Sequence, residues 1–372
     1  MARLKVLATV MAGGAGGRMR PLTDARAKPS LPFGGVYRLI DIPLSNCANS
    51  GISDVWVFEQ YQPHGLTDHL SNGRPWDLDR TRGGLLVVQP HTGSTGEGWH
   101  HGNADALYRE REIIREFDPD VLLVLSADHV YRLDLLDVAN EHAASGAAVT
   151  VVTADVPRGE AARFGTVHVD DEGAVTAFAY KPDEPDTGVV TSEIFAYRPA
   201  SLLETLERSA AERRDGESLG DFGDDLLPRL VAAGGARARP LGGYWRDLGT
   251  LPSYWQAHMD LLGNRPRFQL AEPDWPFFTA ASTRVPARVG GSARLDEALL
   301  SPGCAVHGEV IRSVIGPGAV VEEGSRVVES VLFDDVQVVA GATVERAIVD
   351  TGERVDAGVR GQGGDIAVVR RA

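Results

Sequence analysis

The chain has 372 residues and a formal net charge of −15, with 43% hydrophobic and 24% charged residues. This length exceeds the size at which one hydrophobic core usually stops growing, so we expect two domains, and the ordinary composition excludes disordered and collagen-like proteins. No apolar run approaches the ~20 residues of a membrane-spanning helix, and the acidic balance argues against an extended nucleic-acid interface.

The chain contains two cysteines, Cys47 and Cys304. Two cysteines in a chain of this size do not make a disulfide scaffold. The N-terminal apolar stretch is too short and wrongly flanked for a secretory signal. We therefore expect a cytoplasmic protein.

The first predicted strand, at residues 7–11, runs into a glycine-rich turn at 12–17 with basic residues behind it. Glycines let backbone N–H groups wrap a polyphosphate because no Cβ blocks the approach. The turn does not match the dinucleotide-binding fingerprint, because Met19 stands where that motif has its third glycine. It does not match a P-loop either, because Arg18 stands where that motif has its lysine. Arg18 offers phosphate oxygens a bidentate fork and Lys28 a point charge, so both can neutralise a leaving pyrophosphate.

Up to about residue 260, short β-rich runs alternate with helical or loop segments, as at residues 55–58, 121–125 and 148–152. This alternation predicts an α/β domain with a largely parallel sheet, in which ligands bind at the carboxyl ends of strands. Asp128 closely follows the second of these runs, and Mg²⁺ prefers such carboxylate oxygens. An aspartate there is also a common cap or turn residue, so its position alone leaves both roles open.

The C-terminal part, from residue 263, has a different composition and a different hydrophobic period. Residues 263–285, rich in proline and aromatic residues, predict an ordered connector. Beyond it, steps of six from Val314 reach Val320, Arg326, Leu332, Val338 and Val344, all aliphatic except Arg326. A hexapeptide period predicts a parallel β-helix with an aliphatic core ladder, the alternative being a β-sandwich with closely spaced turns. We therefore divide the chain into an α/β domain (1–262), the connector (263–285) and a β-helix domain (286–372).

Four stretches near the N-terminus carry a specific resemblance, at residues 13–23, 26–29, 33–41 and 44–52. They resemble the start of the ADP-glucose pyrophosphorylases, also called glucose-1-phosphate adenylyltransferases, and the likeness extends over nearly the whole chain. The resemblance implies a mostly parallel, Rossmann-like nucleotidyltransferase sheet followed by a left-handed parallel β-helix of hexapeptide repeats. It also implies AMP transfer from ATP to glucose 1-phosphate with release of pyrophosphate, in the service of glycogen-type glucan synthesis, by a homotetramer or dimer.

The same resemblance implies roles for particular residues. The catalytic set is Arg18, Lys28, Asp128 and Asp247, with Mg²⁺ bound by Asp128 and Asp247. The nucleotide-binding set is Ala12, Gly13, Gly14, Gly16, Gln60, Trp99 and Gly102. The sugar-phosphate-binding set is Tyr180, Lys181, Ser192, Glu193 and Trp245, with Lys181 on the phosphate. The amide of Gln60 can read an adenine edge through a paired donor and acceptor.

The pattern departs from the family around the sugar. Tyr180 stands where the family usually has Glu, and Glu193 where it usually has Gly. Because these changes move the hydrogen-bond partners offered to sugar hydroxyls, they alter discrimination between acceptors. The sequence therefore leaves open a modified sugar, an amino sugar or a cyclitol pseudo-sugar 1-phosphate, with poorer ADP-glucose formation than in typical relatives.

The sequence disfavours three other classes of function. A non-catalytic regulatory homologue is disfavoured because the catalytic set is retained. Acyl transfer on the β-helix would need a catalytic histidine, and His307 is the only one in that domain. A zinc site is disfavoured because His100, His101 and His129 lack zinc-ligand spacing.

Overall fold

The computed structural model describes residues 4–14, 16–90, 100–214, 217–280, 283–363 and 365–370. An α/β unit is followed by a stack of short parallel strands. The strands of the α/β unit are β1 (Val6–Ala12), β2 (Pro32–Phe33), β3 (Tyr37–Arg38), β4 (Asp54–Glu59), β5 (Gly84–Val88), β6 (Val121–Ser126), β7 (His129–Tyr131), β8 (Val149–Asp155), β9 (Gly165–Val169), β10 (Val175–Tyr180), β11 (Val189–Tyr197), β12 (Ala236–Pro240) and β13 (Trp245–Asp247). The α-helices are α1 (Asp41–Asn49), α2 (Pro63–Leu70), α3 (Asn103–Arg109), α4 (Arg111–Phe117), α5 (Leu135–Ser145), α6 (Arg158–Ala161), α7 (Pro199–Ala211), α8 (Leu227–Ala232) and α9 (Leu251–Met259). Within the described ranges, none of the helices combines the length and hydropathy needed to cross a bilayer.

A nine-stranded sheet forms the centre of the α/β unit. Its order is β10-β9-β11-β6-β1-β4-β5, with β8 paired to β11 and β12 to β8. Strands β6, β1, β4 and β5 run parallel, whereas β11 runs antiparallel to both β6 and β8. The predicted, mostly parallel sheet is confirmed. Its parallel centre brings the carboxyl ends of β1, β4 and β6 to one edge.

The central strand β1 is buried along its whole length because it separates two apolar cores. Ala8 and Val10 pack into one core, whereas Leu7 and Met11 pack into the other. Alternation along a strand places successive side chains on opposite faces, and burying each large aliphatic side chain contributes about 1.5–3 kcal/mol. A sheet covered on both faces thus holds the glycine-rich turn at a fixed point.

A second, two-stranded sheet lies beside the end of β6. It pairs β7 with β13 in antiparallel register, with His129 opposite Asp247 and Tyr131 opposite Trp245. Helix α9 follows, its first turn capped by Thr250, whose hydroxyl accepts a hydrogen bond from the Ser253 N–H. This small sheet joins parts of the chain that are far apart in sequence.

The connector packs against α1 through two further strands, β14 (Ala271–Glu272) and β15 (Trp275–Pro276). The Trp275 indole N–H donates to Asn46 Oδ1 at 2.9 Å, and the Asn49 side chain donates to the Pro276 carbonyl at 2.8 Å. Residues 271–276 of the connector thus lie against α1 of the α/β unit.

The C-terminal part is a parallel β-helix. Its strands are β16 (Arg288–Val289), β17 (Arg294–Asp296), β18 (Leu299–Leu300), β19 (Ala305–Val306), β20 (Glu309–Ile311), β21 (Val314–Ile315), β22 (Val320–Val321), β23 (Arg326–Val328), β24 (Val331–Leu332), β25 (Gln337–Val338), β26 (Thr343–Glu345), β27 (Ala347–Val349), β28 (Arg354–Val355), β29 (Val359–Arg360) and β30 (Ala367–Val369). They form three five-stranded parallel sheets, each taking every third strand. The predicted hexapeptide solenoid is confirmed.

Steps of six from Val314 land on successive strands, but the ladder shifts by one residue in two of them. Arg326 is exposed and Val320 half-buried, whereas their neighbours Val327 and Val321 are fully buried. The coils are shorter than three full hexapeptides, with paired positions 17 residues apart at Arg288 and Ala305. A strict period of six therefore drifts off the inward face.

The β-helix and the α/β unit share part of one core. Phe333 and Ile348 belong to the same buried cluster as the α/β residue Tyr254. The Trp255 indole N–H donates to the Glu329 carbonyl at 2.7 Å, and Arg38 pairs with Asp334 at 2.9 Å. This shared core fixes how the β-helix sits on the α/β unit.

Candidate active site

The glycine-rich turn leaves β1 at the carboxyl edge of the sheet. Gly16 has a φ of +63°, and a Cβ there would lie 2.9 Å from Thr23 Cγ2 and 3.3 Å from Lys28 Cβ. The Thr23 hydroxyl donates to the Gly16 carbonyl at 2.9 Å. Glycine is therefore required at this bend, which packs the turn against the segment that carries Lys28.

Lys28 and Asp128 form a buried ion pair beside this turn. Lys28 lies in a short 3₁₀ helix (Lys28–Ser30), and its ammonium donates to Asp128 Oδ2. The Ser126 hydroxyl at the end of β6 donates to the other carboxylate oxygen. Burial alone would raise the pKa of Asp128, but the Lys28 ammonium, His129 and these hydrogen bonds hold that pKa well below its usual value. Asp128 is therefore ionised at neutral pH.

Asp247 reaches the same place through the pairing of β7 with β13. His129 Nε2 lies 3.5 Å from an oxygen of Asp128 and 3.5 Å from an oxygen of Asp247. The Leu248 N–H also donates to the Asp128 carbonyl at 3.2 Å. The two aspartates predicted as metal ligands are thus brought together, with one imidazole between them.

His129 is a site residue that the sequence argument missed. Its Nδ1 lies 2.8 Å from the Ser192 carbonyl, which leaves Nε2 facing the carboxylates. Burial lowers the pKa of His129, but the Asp128 and Asp247 carboxylates outweigh it and raise that pKa to about 9. The protonated ring then donates from both nitrogens. The available signal was its position directly after Asp128 on a buried strand.

Arg163 is a second residue that was missed, and no motif pointed to it. Its guanidinium donates to Asp247 Oδ2. Burial raises the pKa of Asp247, but the hydrogen bond from His129 outweighs it, and the net pKa is lowered.

Arg18 lies beside Asp247, on the short 3₁₀ helix Gly17–Met19. A Cβ on Gly249 would lie 3.2 Å from Arg18 Nη2 and 2.9 Å from both Asp247 carboxylate oxygens. Only a residue without a side chain fits between the guanidinium and the carboxylate. Arg18 is exposed, so its fork is open to a ligand in the cleft.

These carboxylates suit a hard divalent cation. Among the described residues, one group of three possible ligands has its ligand atoms within 4.8 Å of one another, namely Asp128, His129 and Glu193. Asp247 lies outside this group but has an oxygen 3.5 Å from His129 Nε2. Carboxylate oxygens are the donors that Mg²⁺ prefers, and it commonly takes only one or two of them from protein. Asp128 and Asp247 therefore fit the predicted metal.

A cleft of about 320 Å³ opens next to the glycine-rich turn. Gly13, Gly14, Gln60 and Gly102 line it, whereas Ala12 is buried at the end of β1. The Gln60 side-chain amide accepts from the His100 N–H and donates to the His100 carbonyl, both at 2.9 Å. That pairing leaves one amide N–H and one lone pair for a ligand. Trp99 lies outside the described residues.

Gly102 packs tightly against the backbone of Gly220 at one side of this cleft. It has a φ of +136°, and a Cβ there would lie 2.2 Å from the backbone carbonyl of Gly220. The next residue, Asn103, donates its N–H to Asp221 Oδ1 at 3.2 Å. Asp221 therefore ties the start of α3 to Tyr180, whose hydroxyl donates to its other carboxylate oxygen.

Tyr180 and Lys181, predicted to bind the acceptor, lie at the end of β10. The Tyr180 hydroxyl donates to Asp221 Oδ2 at 3.1 Å and accepts from Lys181 Nζ at 2.6 Å. A Cβ on Gly223 would lie 2.0 Å from the Tyr180 ring, so the ring rests on bare backbone. Lys181 itself is exposed and remains free to meet a phosphate.

The structure separates the remaining acceptor-side candidates. Ser192 has no exposed surface, and its hydroxyl donates to the Val152 carbonyl at 2.9 Å, so it contributes its own carbonyl to His129 and presents no hydroxyl to the cleft. Trp245 packs edge-on against His129 with ring centroids 5.3 Å apart. The carboxylate of Glu193 enters the cluster beside Asp128.

Comparisons with known proteins agree with this geometry. Residues 7–264 match the nucleotidyl transferase family model, and residues 282–364 match the GlmU-like C-terminal hexapeptide model. The chain is 39% identical over 346 residues to a glucose-1-phosphate adenylyltransferase of Bacillus thuringiensis (strain Al Hakam), covering 93% of this chain and 91% of that one. It is 38% identical over 353 residues to the enzyme of the same name from Bacillus cytotoxicus, covering 95% and 93%.

Proposed function

The chain belongs to the nucleotidyl transferase family, with glucose-1-phosphate adenylyltransferases among its relatives, and we propose that it transfers AMP from ATP to a sugar 1-phosphate. The proposal rests on one observation: Arg18, Lys28 and two ionised aspartates lie together beside the glycine-rich turn at the carboxyl edge of the sheet. Nucleotidyl transfer needs positioned charge and no protein nucleophile. The cleft supplies that charge.

In the proposed reaction, an oxygen of the acceptor phosphate attacks the α-phosphorus of the triphosphate. A new phosphorus–oxygen bond forms there, and the bond to the bridging oxygen of the β-phosphate breaks, so pyrophosphate leaves with the electron pair. Arg18 binds the departing phosphates through two parallel hydrogen bonds. Lys28 keeps two N–H donors for them beyond the one given to Asp128.

The acceptor phosphate is assigned to Lys181, whose exposed ammonium is held by the Tyr180 hydroxyl. We assign Asp128 and Asp247 as the residues that hold Mg²⁺. When bound, Mg²⁺ offsets negative charge on the triphosphate and on the leaving pyrophosphate.

Glucose 1-phosphate is the acceptor that the names of the relatives suggest, and glucan synthesis is the corresponding role. A modified, amino or cyclitol 1-phosphate is the second candidate, favoured by the Glu193 carboxylate in the cluster. A non-catalytic role is disfavoured because the cations and carboxylates of the cleft remain in contact.

A screen of pyrophosphate release tests the proposal. ATP, UTP and dTTP are each combined with a panel of hexose and hexosamine 1-phosphates, with Mg²⁺ and then with excess EDTA. We expect release with ATP and one acceptor class, and its loss with EDTA. No release from any combination with Mg²⁺ present would refute the assignment as an active enzyme.

We also propose that the protein self-associates and that it is cytoplasmic. The first coil of the β-helix leaves Val289 53% and Leu295 42% exposed, and Val285 just before it is 66% exposed, which favours a dimer or tetramer formed through this region. Cys47 and Cys304 are free and buried, which suits a reducing compartment. Sedimentation equilibrium of the wild type and of a Val289→Lys variant tests the first proposal, since the variant should shift toward monomer.

A further inference from the structure

Glu193 stands at an irregular point in β11. Thr191 pairs with Thr153 and Phe195 pairs with Val151, so the register with β8 shifts between them. Glu193 itself has a φ of +55°, in the left-handed region that non-glycine residues seldom adopt. The bulge turns this one side chain out of the regular alternation of the strand.

Among the residues the structure describes, the Glu193 carboxylate makes no hydrogen bond or ion pair that would offset this strain. Glu297 and Glu329 also have positive φ, at 46° and 44°, but both pair with Arg312. An observed backbone outlier without a structural partner points to a function in binding.

The surroundings of Glu193 add two further costs. An oxygen of Glu193 lies within 4.8 Å of ligand atoms of Asp128 and His129, so two carboxylates approach each other. Burial, reinforced by Asp128 and Asp247, raises the pKa of Glu193. The positive charges of His129 and Lys181 attract the carboxylate, but burial and the two aspartates outweigh them and the pKa stays raised. Backbone strain and desolvation therefore both oppose this residue in the folded chain.

The position of Glu193 is on the acceptor side of the cleft. Lys181 and Tyr180 are close enough to interact electrostatically with it. A carboxylate accepts hydrogen bonds from several donors at once. The donors that a sugar or cyclitol ring presents are hydroxyl and ammonium groups.

We infer that Glu193 selects the acceptor by accepting a hydrogen bond from a ring hydroxyl or ring ammonium of the sugar 1-phosphate. The inference rests on the proposed function and adds to it a specificity-determining residue. A site built to accept such a bond rejects acceptors that lack the donor, because its buried oxygen is then left unpaired.

The experiment compares the wild type, Glu193→Gly and Glu193→Gln with the control Glu297→Gly, which has the same backbone conformation but lies in the β-helix. Pyrophosphate release from ATP is measured with glucose, galactose, mannose and glucosamine 1-phosphates. For Glu193→Gly we expect kcat/KM with the preferred acceptor to fall about 100-fold or more, with a changed order of acceptors and an unchanged KM for ATP. The control should keep the wild-type order.

The Glu193→Gln variant distinguishes a ring hydroxyl from a ring ammonium as the donor. Its carbonyl still accepts from a hydroxyl, so a modest loss indicates a hydroxyl, whereas a loss as large as that of Glu193→Gly indicates an ammonium. Glu193→Gly should also unfold at a higher temperature than the wild type because glycine removes the strain.

An unchanged order of acceptors in Glu193→Gly would overturn the inference. An equal loss of activity with every acceptor would point to a metal ligand, and no loss with any acceptor would show that Glu193 does not contribute to binding. No activity of the wild type with any acceptor would instead refute the proposed function on which the inference rests.

Discussion

Asp247 lies directly opposite His129 on antiparallel strands, with His129 Nε2 3.5 Å from Asp247 Oδ1. The same nitrogen is 3.5 Å from Asp128, so one imidazole joins two carboxylates that are far apart in the chain. This relationship joins the charged side chains around Asp128 and Asp247 into a single unit.

Asp128→Asn should lower kcat by at least about 100-fold, because the carboxylate that we assign to the metal is lost. The amide carbonyl still accepts from the buried Lys28, so the variant should fold. Pyrophosphate release and thermal unfolding check both points. Asp155→Asn, at the exposed end of β8, is the control and should behave as wild type. Normal turnover of Asp128→Asn would contradict the metal assignment.

Lys181→Gln should raise KM for the sugar 1-phosphate about 10- to 100-fold, because a charge-assisted hydrogen bond of about 1.5–3 kcal/mol is lost. KM for ATP should stay unchanged. Steady-state kinetics with each substrate varied in turn distinguishes the two constants. Equal increases in both would argue against an acceptor-side role for Lys181.

Gly223→Ala should push Tyr180 away, because the new Cβ would lie 2.0 Å from the ring. The hydrogen bond from the Tyr180 hydroxyl to Asp221 is then lost. We expect a higher KM for the acceptor and a lower unfolding temperature. Gly159→Ala is the matched control, since a Cβ there meets nothing within 4 Å. Similar behaviour of the two variants would exclude this packing role.

His258 should make the folded state less stable as the pH falls. Burial lowers its pKa from 6.5 to about 4 in the folded chain, so the unfolded chain binds the proton first. The contribution of His258 to stability is complete above pH 6.5 and is lost as the pH falls toward 4, by about 3 kcal/mol in all.

Denaturant midpoints measured between pH 7.5 and 4.5 test this expectation. His258→Leu should show a flatter decline than the wild type, whereas the exposed His168→Gln should not. Parallel declines in the wild type and His258→Leu would show that other groups govern acid stability.

Much of the site could be predicted because its signals are local. Gly16 and Lys28 lie in two neighbouring stretches of the N-terminal motif, and Asp128 closely follows a buried strand. Arg163 could not be predicted, since only the fold brings it to Asp247.

The sequence by itself determined the family resemblance, the class of fold and the solenoid, because glycine-rich turns and hydrophobic periods are written in neighbouring residues. Only the tertiary structure decided that His129 lies between the two aspartates, that the Ser192 hydroxyl points into the sheet and that Glu193 turns into the cleft. The physical reason is that strand pairing and a bulge set side-chain direction, and both depend on register between distant segments.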